Sequence, residues 1–444
     1  MTWANNKSVL FASTAIALSM VAGAAHAGGF ALREQSAYYQ GMSFAGNGTT
    51  GDSISSMFWN PATLTGAKNG ITFESHSSFI IPNSNITGDY TPQGVAAVPA
   101  AFGGPGITAA SGSSGDIGSD AWIPSTYTAY RFNEDLVFGL AVNTPFGLST
   151  KPENNWAGQY YSRSSEVFSV NVNPTVAYQV NDMISIGLGA QIQYMKVSLK
   201  SAYALNATGA TTELKGGGFG YGATAGITVK PMEGTEIGLG FRSATAVGLE
   251  GHYINPSIVA VAGGAGGSRT GIDATFVTPE SVTLSASQKI GKKFKLAGTV
   301  EWTNWSRLDT VATTTTSGAT TNPTGTPTLK FQYNDGWFFA LGGEYDWNDM
   351  VTLRAGLAYE ISPVDDANRS TRIPDTNRWW LSAGGSVNVN EHLSLDLGYT
   401  HIISEDADIN ISGNHHDYNS NIGTFTGSAD SHVDIISASL RYTF

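Results

Sequence analysis

The sequence of 444 residues contains no cysteine. This absence excludes disulfide bonds, zinc–thiolate sites, iron–sulfur clusters and cysteine nucleophiles. Charged residues are also scarce, because Asp, Glu, Lys and Arg make up 13% of the chain, about half of the usual share of roughly 25%. The formal net charge of -12 argues against a nucleic acid as a partner, and none is predicted. Few charges together with 53 glycines disfavour a soluble helical bundle and favour strands joined by polar loops.

Residues 1–27 are typical of a secretory signal peptide. Lys7 supplies a positively charged start, an apolar run follows, and Ala25-His26-Ala27 fits the small-x-small rule for cleavage. We therefore expect an exported protein whose mature chain begins at Gly28. The alternative is a transmembrane anchor, which the shortness of the run and its Ala, Ser and Gly content disfavour. After the signal peptide no stretch of about 18 apolar residues occurs, so no membrane-spanning helix is predicted.

Apolar residues recur at every second position in many segments of the mature chain. Residues 136–142 and 393–397 are clear examples, with small or polar residues between the apolar ones. A period of two is that of a β-strand with one apolar face. The pattern predicts fourteen strands, at 70–81, 121–132, 135–146, 166–180, 183–200, 214–230, 234–250, 275–290, 293–309, 328–346, 349–361, 377–389, 392–405 and 430–444.

The connections between these strands alternate between tight turns and long Gly-, Ser-, Thr- and Asn-rich loops. Short turns on one side and long loops on the other are typical of outer-membrane barrels, with the periplasm on the short side. The last strand ends on Phe444, the usual insertion signal of bacterial barrels. The sequence therefore predicts an all-β transmembrane protein, an antiparallel barrel of about fourteen strands in a Gram-negative outer membrane. Expected partners are the barrel-assembly machinery, outer-membrane lipid and lipopolysaccharide. The alternative is a soluble all-β sandwich or a secreted lectin-like protein.

Residues 28–69 do not alternate and instead indicate short helices interrupted by glycine. A compact segment ahead of the first strand is either a periplasmic appendage or a plug folded inside the barrel. The lumen of a fourteen-stranded barrel is too wide for wall side chains alone to fill. We therefore expect residues 28–69 to form a plug, or hatch, and residues 70–444 to form the barrel.

Several segments carry recognisable motifs. They are residues 29–36, 41–46, 60–62, 278–282, 302–306, 362–364, 368–370 and 373–384. Together these motifs resemble the FadL/TodX family of outer-membrane transporters of long-chain fatty acids and other hydrophobic compounds. The resemblance spans essentially the whole mature chain. It implies a monomeric fourteen-stranded barrel plugged by an N-terminal hatch, without cofactor or enzymatic activity.

The resemblance also implies a route for the substrate. Outer loops capture it, a tighter pocket beside the hatch receives it, and it leaves sideways through a gap at an inward kink in the third strand. In this sequence the third strand continues into Pro145, Phe146 and Gly147, where Pro145 lacks an N–H and Gly147 tolerates unusual dihedrals. An ordinary strand end is the alternative. The hatch residues expected at this gate are Gly28, Phe30 and the latch Asn60-Pro61-Ala62.

A fatty-acid carboxylate in an apolar pocket needs a compensating charge. If the apolar residues around them face lipid, alternation turns Lys196 and Lys200 of one strand and Lys330 of another into the lumen. The resemblance places basic pocket residues on these two strands, nearest to Lys200 and Lys330. The alternative for each lysine is a solvated position in the wall or near its rim. Trp156 and Tyr160 in one loop, with residues 258–261 in another, are apolar enough to bind substrate.

Other polar groups give weaker signals. His415, His416 and Asp417 are candidates for a cation site, but solvated histidines explain them better and no metal is predicted. The charges between residues 365 and 378 fit salt bridges as well as a function. A lipid-hydrolysing barrel enzyme is disfavoured because no serine motif accompanies His401 or His432. A hydrophilic porin is disfavoured by the apparent hatch. The prediction is passive, gated uptake of long-chain fatty acids, with aromatic hydrocarbons as the alternative substrates.

Overall fold

The computed structural model describes residues 28–102, 104–203, 210–256, 268–316 and 328–444. The predicted signal peptide and the apolar loop residues 258–261 lie outside these ranges. Among the described residues, no helix is long and apolar enough to cross a membrane.

The described chain forms a single sheet of 21 strand segments. The segments of the first half are β1 (Gly70–Pro92), β2 (Ala110–Asp116), β3 (Ala121–Arg131), β4 (Leu136–Asn143), β5 (Gly147–Thr150), β6 (Ser164–Gln179), β7 (Ile184–Ala202), β8 (Thr211–Met232), β9 (Thr235–Arg242) and β10 (Thr245–Asn255). Those of the second half are β11 (Ser268–Thr278), β12 (Ser281–Ile290), β13 (Phe294–Thr303), β14 (Thr310–Thr315), β15 (Thr328–Lys330), β16 (Gly336–Asp346), β17 (Val351–Ile361), β18 (Arg378–Asn388), β19 (Leu393–Ser404), β20 (Ala407–Ile411) and β21 (Gly423–Thr443).

These segments make a closed antiparallel barrel of fourteen strands, which confirms the predicted fold. Six barrel strands consist of two segments each, namely β4–β5, β9–β10, β11–β12, β13–β14, β15–β16 and β19–β20. Segment β2 is an addition that pairs with the far end of β1. The barrel closes where β1 pairs with β21, from Thr72 opposite Thr443 to Pro92 opposite Gly423.

The wall is apolar outside and polar inside, the reverse of a soluble protein. Leu395 and Leu397 are 41% and 65% exposed, whereas Asp396 between them is 2% exposed. An apolar outer face with polar side chains directed inward is the arrangement that a bilayer requires of a barrel.

The lumen is filled by residues 28–69, nearly all of which are buried. They form a short α-helix, α1 (Ala37–Gln40), and two 3-10 helices, Ile54–Phe58 and Pro61–Gly66. Each helix is preceded by a capping residue whose side chain accepts from a backbone N–H of the first turn. The capping residues are Ser36, Ser53 and Asn60 in chain order. Such caps stabilise helices that are too short to persist alone. This confirms the expected partly helical plug and excludes a periplasmic appendage.

Glycines on the inner wall let the hatch approach the barrel backbone. A Cβ added at Gly240 of β9 would overlap the carbonyl oxygen of Trp59, and one at Gly226 of β8 would overlap the side chain of Asn60. By contrast, a Cβ at Gly248 of β10 would meet nothing within 4 Å. The backbone of the hatch therefore packs directly against the backbone of β8 and β9.

We expect Gly240→Ala to destabilise the seated hatch, because its methyl group overlaps backbone that cannot rotate away. Forcing a methyl into a packed contact typically costs about 1–3 kcal/mol. The temperature at which the folded barrel is lost on a denaturing gel should fall for Gly240→Ala and stay unchanged for the matched variant Gly248→Ala. Equal behaviour of the two variants would contradict this close fit.

Candidate binding pocket and gate

A cavity lies inside the barrel at its long-loop end. Its wall is mainly apolar and comes from the hatch, five barrel strands, the loop after β17 and the loop before β21. The apolar lining residues are Phe30, Leu148, Val167, Val197, Leu199, Phe276, Leu329, Phe331, Tyr333 and Ile373. The polar ones are Ser165, Lys330, Asn368, Ser370, Arg372, His416 and Asp417. A deep apolar cavity with a few polar groups is the usual form of a small-molecule site. We call it the upper cavity.

Arg372 is the notable charge of the upper cavity. Its Nη1 donates to the backbone carbonyl oxygen of Lys200 at 3.1 Å. It also donates, more weakly, to the backbone carbonyl oxygen of Ser164 and to Ser165 Oγ, both at 3.4 Å. Burial lowers the pKa of Arg372, and Asp417 is the carboxylate that opposes this shift. Among the described residues no carboxylate lies within 4.0 Å of it. The upper cavity therefore holds a cation with an incomplete set of anionic partners.

The structure corrects the predicted orientation of Lys196 and Lys200. Met195 and Val197 face the lumen, while Lys196 lies 3.4 Å from Glu166 and Lys200 lies 3.6 Å from Glu213, both lysines being well exposed. Alternation shows which residues share a face but not which face is inside. Here the inner face is the apolar one because it lines the upper cavity.

Lys330 does line the upper cavity, although the alternation around it is also reversed. Leu329 and Phe331 pack into the apolar cluster of the lumen, and the exposed Lys330 reaches the rim at the end of β15. It lies near His416, whose pKa is lowered mainly by burial and further by the charges of His415 and Lys330. Of the three predicted lysines, only Lys330 is therefore in a position to contact a molecule in the cavity.

Trp156 and Tyr160 do not line the upper cavity, and their role in capturing substrate at the outer loops stays a prediction. Trp156 is 4% exposed, donates from Nε1 to Ser162 O at 2.9 Å and packs against Phe425. Tyr160 packs against Tyr90 with 4.8 Å between ring centroids. Both residues belong to a separate apolar cluster beneath the outer loops, where they stabilise the loop.

At the candidate cation site, both ring nitrogens of His415 already have hydrogen-bond partners. The nitrogen and oxygen atoms of His415, His416 and Asp417 lie within 4.8 Å of one another. However, His415 Nε2 lies 3.1 Å from Arg369 O, and His415 Nδ1 accepts from Asp417 N at 3.1 Å. Both ring nitrogens are thus occupied by backbone groups, and His415 has no lone pair left for a metal.

The third barrel strand is interrupted at the predicted kink. Segment β4 ends at Asn143, opposite Asn171, and β5 begins at Gly147, opposite Phe168. Three residues of the third strand therefore stand against two of β6, as in a β-bulge. The side chain of Ser169 bridges the interruption, accepting from Phe146 N at 2.9 Å.

The wall has a gap beside this kink. The ladder between β3 and β4 ends at Thr126 opposite Val142, although β3 begins at Ala121. Pairing resumes with an isolated bridge between Gly118 and Thr150. Residues 121–125 therefore have no ladder partner in the third barrel strand.

The hatch closes the gap from inside. Leu32 N donates to Pro145 O at 2.8 Å and Gly147 N donates to Phe30 O at 3.0 Å, which makes residues 30–32 a short antiparallel partner of the kink. The side chain of Gln35 contributes as well. Its Nε2 donates to Thr144 O and its Oε1 accepts from Ser125 Oγ, both at 2.8 Å. Sequence reasoning missed Gln35.

Asn60-Pro61-Ala62 does not make these contacts at the kink, contrary to expectation. The Nδ2 of Asn60 donates to Gly48 O at 2.8 Å and to Ile227 O of β8 at 3.1 Å, and its Oδ1 accepts from Ala62 N. The motif thus begins a 3-10 helix against β7, β8 and β9. Glycines of β7, β8 and β9 admit the backbone of the hatch at this place and so seat the motif there.

Phe30 separates the upper cavity from a second space at the kink. Its ring lies 4.7 Å from that of Trp305, 5.8 Å from Phe276 and 5.9 Å from Phe146, measured between centroids. Beyond this aromatic layer lies that second space, which we call the lower cavity. Its lining residues include Ala31, Leu32, Phe58, Trp59, Pro145, Phe146, Arg242 and Glu301.

Comparison with known proteins identifies the family. Residues 18–444 match the family model described as outer membrane protein transport protein (OMPP1/FadL/TodX). The chain belongs to this family. FadL/TodX proteins are outer-membrane transport proteins, so the predicted location in a Gram-negative outer membrane and the prediction that the chain is not an enzyme are both confirmed.

Relatives within the FadL/TodX family share about a quarter of their residues with the chain. The long-chain fatty acid transport protein of Escherichia coli O6:H1 is 26% identical over 399 residues, covering 82% of this chain and 84% of the relative. Outer membrane protein P1 of Haemophilus influenzae is 24% identical over 402 residues, covering 82% and 83%.

Solved structures of the family share the fold. A Pseudomonas aeruginosa FadL homologue superposes with a TM-score of 0.80 at 21% identity, covering 94% of this chain and all of that one. The Ralstonia pickettii toluene transporter TbuX gives a TM-score of 0.66 at 16% identity, covering 92% and 99%.

Proposed function

We propose that this family member takes up long-chain fatty acids passively through the outer membrane. The observation that carries the proposal is the half-buried guanidinium of Arg372 in a mainly apolar cavity. A carboxylate bound there gains a charge-assisted hydrogen bond, while its alkyl chain is removed from water. The relatives named as long-chain fatty acid transport proteins support this substrate class.

Aromatic hydrocarbons are the second candidate substrates. The rings of Phe30, Phe276 and Phe331 around the cavity suit them, and TbuX, which has the same fold, is a toluene transporter. A neutral hydrocarbon leaves Arg372 without an added partner, however, and so makes no use of the charge that lines the cavity. We therefore favour a substrate with a carboxylate.

The proposed route runs from the upper cavity past Phe30 to the lower cavity and out through the gap beside the kink. The gap and the aromatic layer support it, as does the polarity of the other exit. A cavity at the short-turn end is lined by several charged residues, including Asp52, Lys68 and Arg441. An alkyl chain would gain nothing on entering that space, whereas the gap opens towards the apolar outer face.

Replacing Arg372 separates the two substrate classes. We expect Arg372→Gln to weaken binding of oleate by about tenfold, or about 1.4 kcal/mol, through loss of the charge-assisted bond. Toluene should bind equally well to the variant and to the unmodified protein. Both affinities can be measured by titration of the purified protein in detergent.

Lys196→Gln is the matched control, because it removes a cation from the same region of the barrel but from its outer face. It should leave oleate binding unchanged. Equal losses for oleate and toluene in Arg372→Gln would reject carboxylate pairing, as would an unchanged affinity for oleate.

A further inference from the structure

The backbone nitrogen of Gly28 is enclosed by carboxylates inside the barrel. It donates to Glu360 Oε1 at 3.1 Å, and the next nitrogen, that of Gly29, donates to Asp375 Oδ2 at 2.9 Å. Gly28 is buried, and a Cβ added to it would lie 2.9 Å from Glu360 Oε1. The nitrogen of the first predicted residue of the mature chain is thus held in a close-fitting acidic site.

Arginine side chains already face the carboxylates around this nitrogen. Glu301, Glu360 and Asp375 are buried beside the guanidinium groups of Arg33 and Arg378, and the charge of Arg242 also acts on Glu301. Glu360 and Asp375 are the two carboxylates that also accept from the nitrogens of Gly28 and Gly29, and a buried carboxylate is costly when its charge is not fully paired.

Two further groups complete the surroundings of the nitrogen. The guanidinium of Arg369 is engaged by Asp366, with 2.6 Å between Nη1 and Oδ1. Glu34 adds a fourth carboxyl group, and burial raises its pKa to about 7. Its Oε2 is buried without a hydrogen-bond donor among the described residues. The surroundings of the nitrogen are therefore rich in carboxyl groups.

We propose that the carboxylates of Glu360 and Asp375 form a binding site for the α-ammonium group that appears when the Ala27–Gly28 peptide bond is hydrolysed. A protease of the export pathway adds one water across that bond. Ala27 leaves with a carboxylate, and the Gly28 nitrogen takes up a proton to become an ammonium. The new cation pairs with Glu360 and Asp375 and brings two further N–H donors to the site.

The position of this site links processing to the gate. Two residues after the ammonium, Phe30 lies between the upper and lower cavities, and its carbonyl oxygen accepts from Gly147 N at the kink. One additional residue at the start of the chain would displace the ammonium by roughly 3.5 Å, more than the site can absorb. Cleavage after Ala27 therefore completes the gate. The ammonium site itself does not depend on the identity of the substrate.

Amine labelling of the mature protein tests the proposal. The full precursor is expressed, the folded protein is purified from outer membranes, and its first residue is determined by mass spectrometry. A small acetylating reagent at neutral pH is then applied to the folded and the denatured protein. We expect the chain to begin at Gly28 and its α-amine to react at least about tenfold more slowly in the folded state. Lys292 and Lys293, which are exposed, report reagent activity in the same sample.

Glu360→Gln distinguishes ion pairing from simple enclosure. Its neutral amide retains the size of the side chain but not its charge, so the Gly28 amine should become reactive by about tenfold or more. Glu166→Gln, which removes a carboxylate from the outer wall, should preserve the protection. A different first residue, a rapidly reacting α-amine in the folded protein, or unchanged protection in Glu360→Gln would overturn the proposal.

Discussion

The double variant Ala31→Cys/Phe146→Cys is expected to lose fatty-acid uptake when oxidised and to regain it when reduced. Ala31 and Phe146 are bridge partners whose flanking residues carry the hydrogen bonds, so they form a non-hydrogen-bonded pair. Such pairs have Cα atoms about 4.5 Å apart, which a disulfide can span. Because the chain has no cysteine of its own, the introduced pair is the only source of a disulfide.

The expected loss follows from the closure of the gap by residues 30–35. A covalent link at the kink keeps this segment in place, so uptake into cells should fall at least about tenfold. Thr72→Cys/Thr443→Cys is the matched control, because it links β1 to β21 at a barrel seam that has no part in the route. Undiminished uptake with the Ala31–Phe146 link formed would exclude movement of the hatch away from the kink.

Replacement of Arg33 should cause the largest loss of hatch stability. Its Nη1 lies 2.8 Å from Glu301 Oε1, its Nη2 lies 3.4 Å from Glu360 Oε1, and its guanidinium lies 3.7 Å from the ring centroid of Phe338. Arg33→Met leaves two buried carboxylates without this partner. Removing one member of a buried ion pair typically costs about 3–5 kcal/mol.

The barrel should survive this change, because its wall is closed by backbone hydrogen bonds. Loosening of the hatch can be followed by proteolysis of residues 28–69 and by entry of a small hydrophilic β-lactam into the periplasm. Both should rise in Arg33→Met. Lys196→Met breaks an exposed pair with Glu166, which is worth about 1 kcal/mol or less, and should change neither. A resistant hatch in Arg33→Met would show that packing alone holds it.

The barrel was predictable because every strand repeats the same two-residue period. The far ends of β1 and β21 were missed, since residues such as Ser84 and Gly88 interrupt the apolar alternation there. In the structure these ends pair with each other as far as Pro92 and Gly423. Backbone pairing of this kind needs no apolar face and therefore leaves little trace in the sequence.

The site was less predictable than the fold. Pro145 and Gly147 indicate the kink because both are local signals in the sequence. The hatch segment that packs against the kink lies more than a hundred residues earlier in the chain. Only the fold brings Phe30 and Gln35 of that segment to the kink. The period of two cannot say which face is inside, which is why Lys196 and Lys200 were assigned to the lumen. In the sequence Arg372 is one of several charges in a loop, because only the fold shows which of them lines the upper cavity.

A structure of the protein with bound oleate tests the proposed site most directly. We expect the carboxylate within hydrogen-bond distance of Arg372, near Lys330, and the alkyl chain along Leu329, Phe276 and Phe30 in the upper cavity. Oleate bound instead in the charged cavity at the short-turn end, beside Lys68 and Arg441, with the upper cavity free of it, would contradict both the pocket and the sideways route.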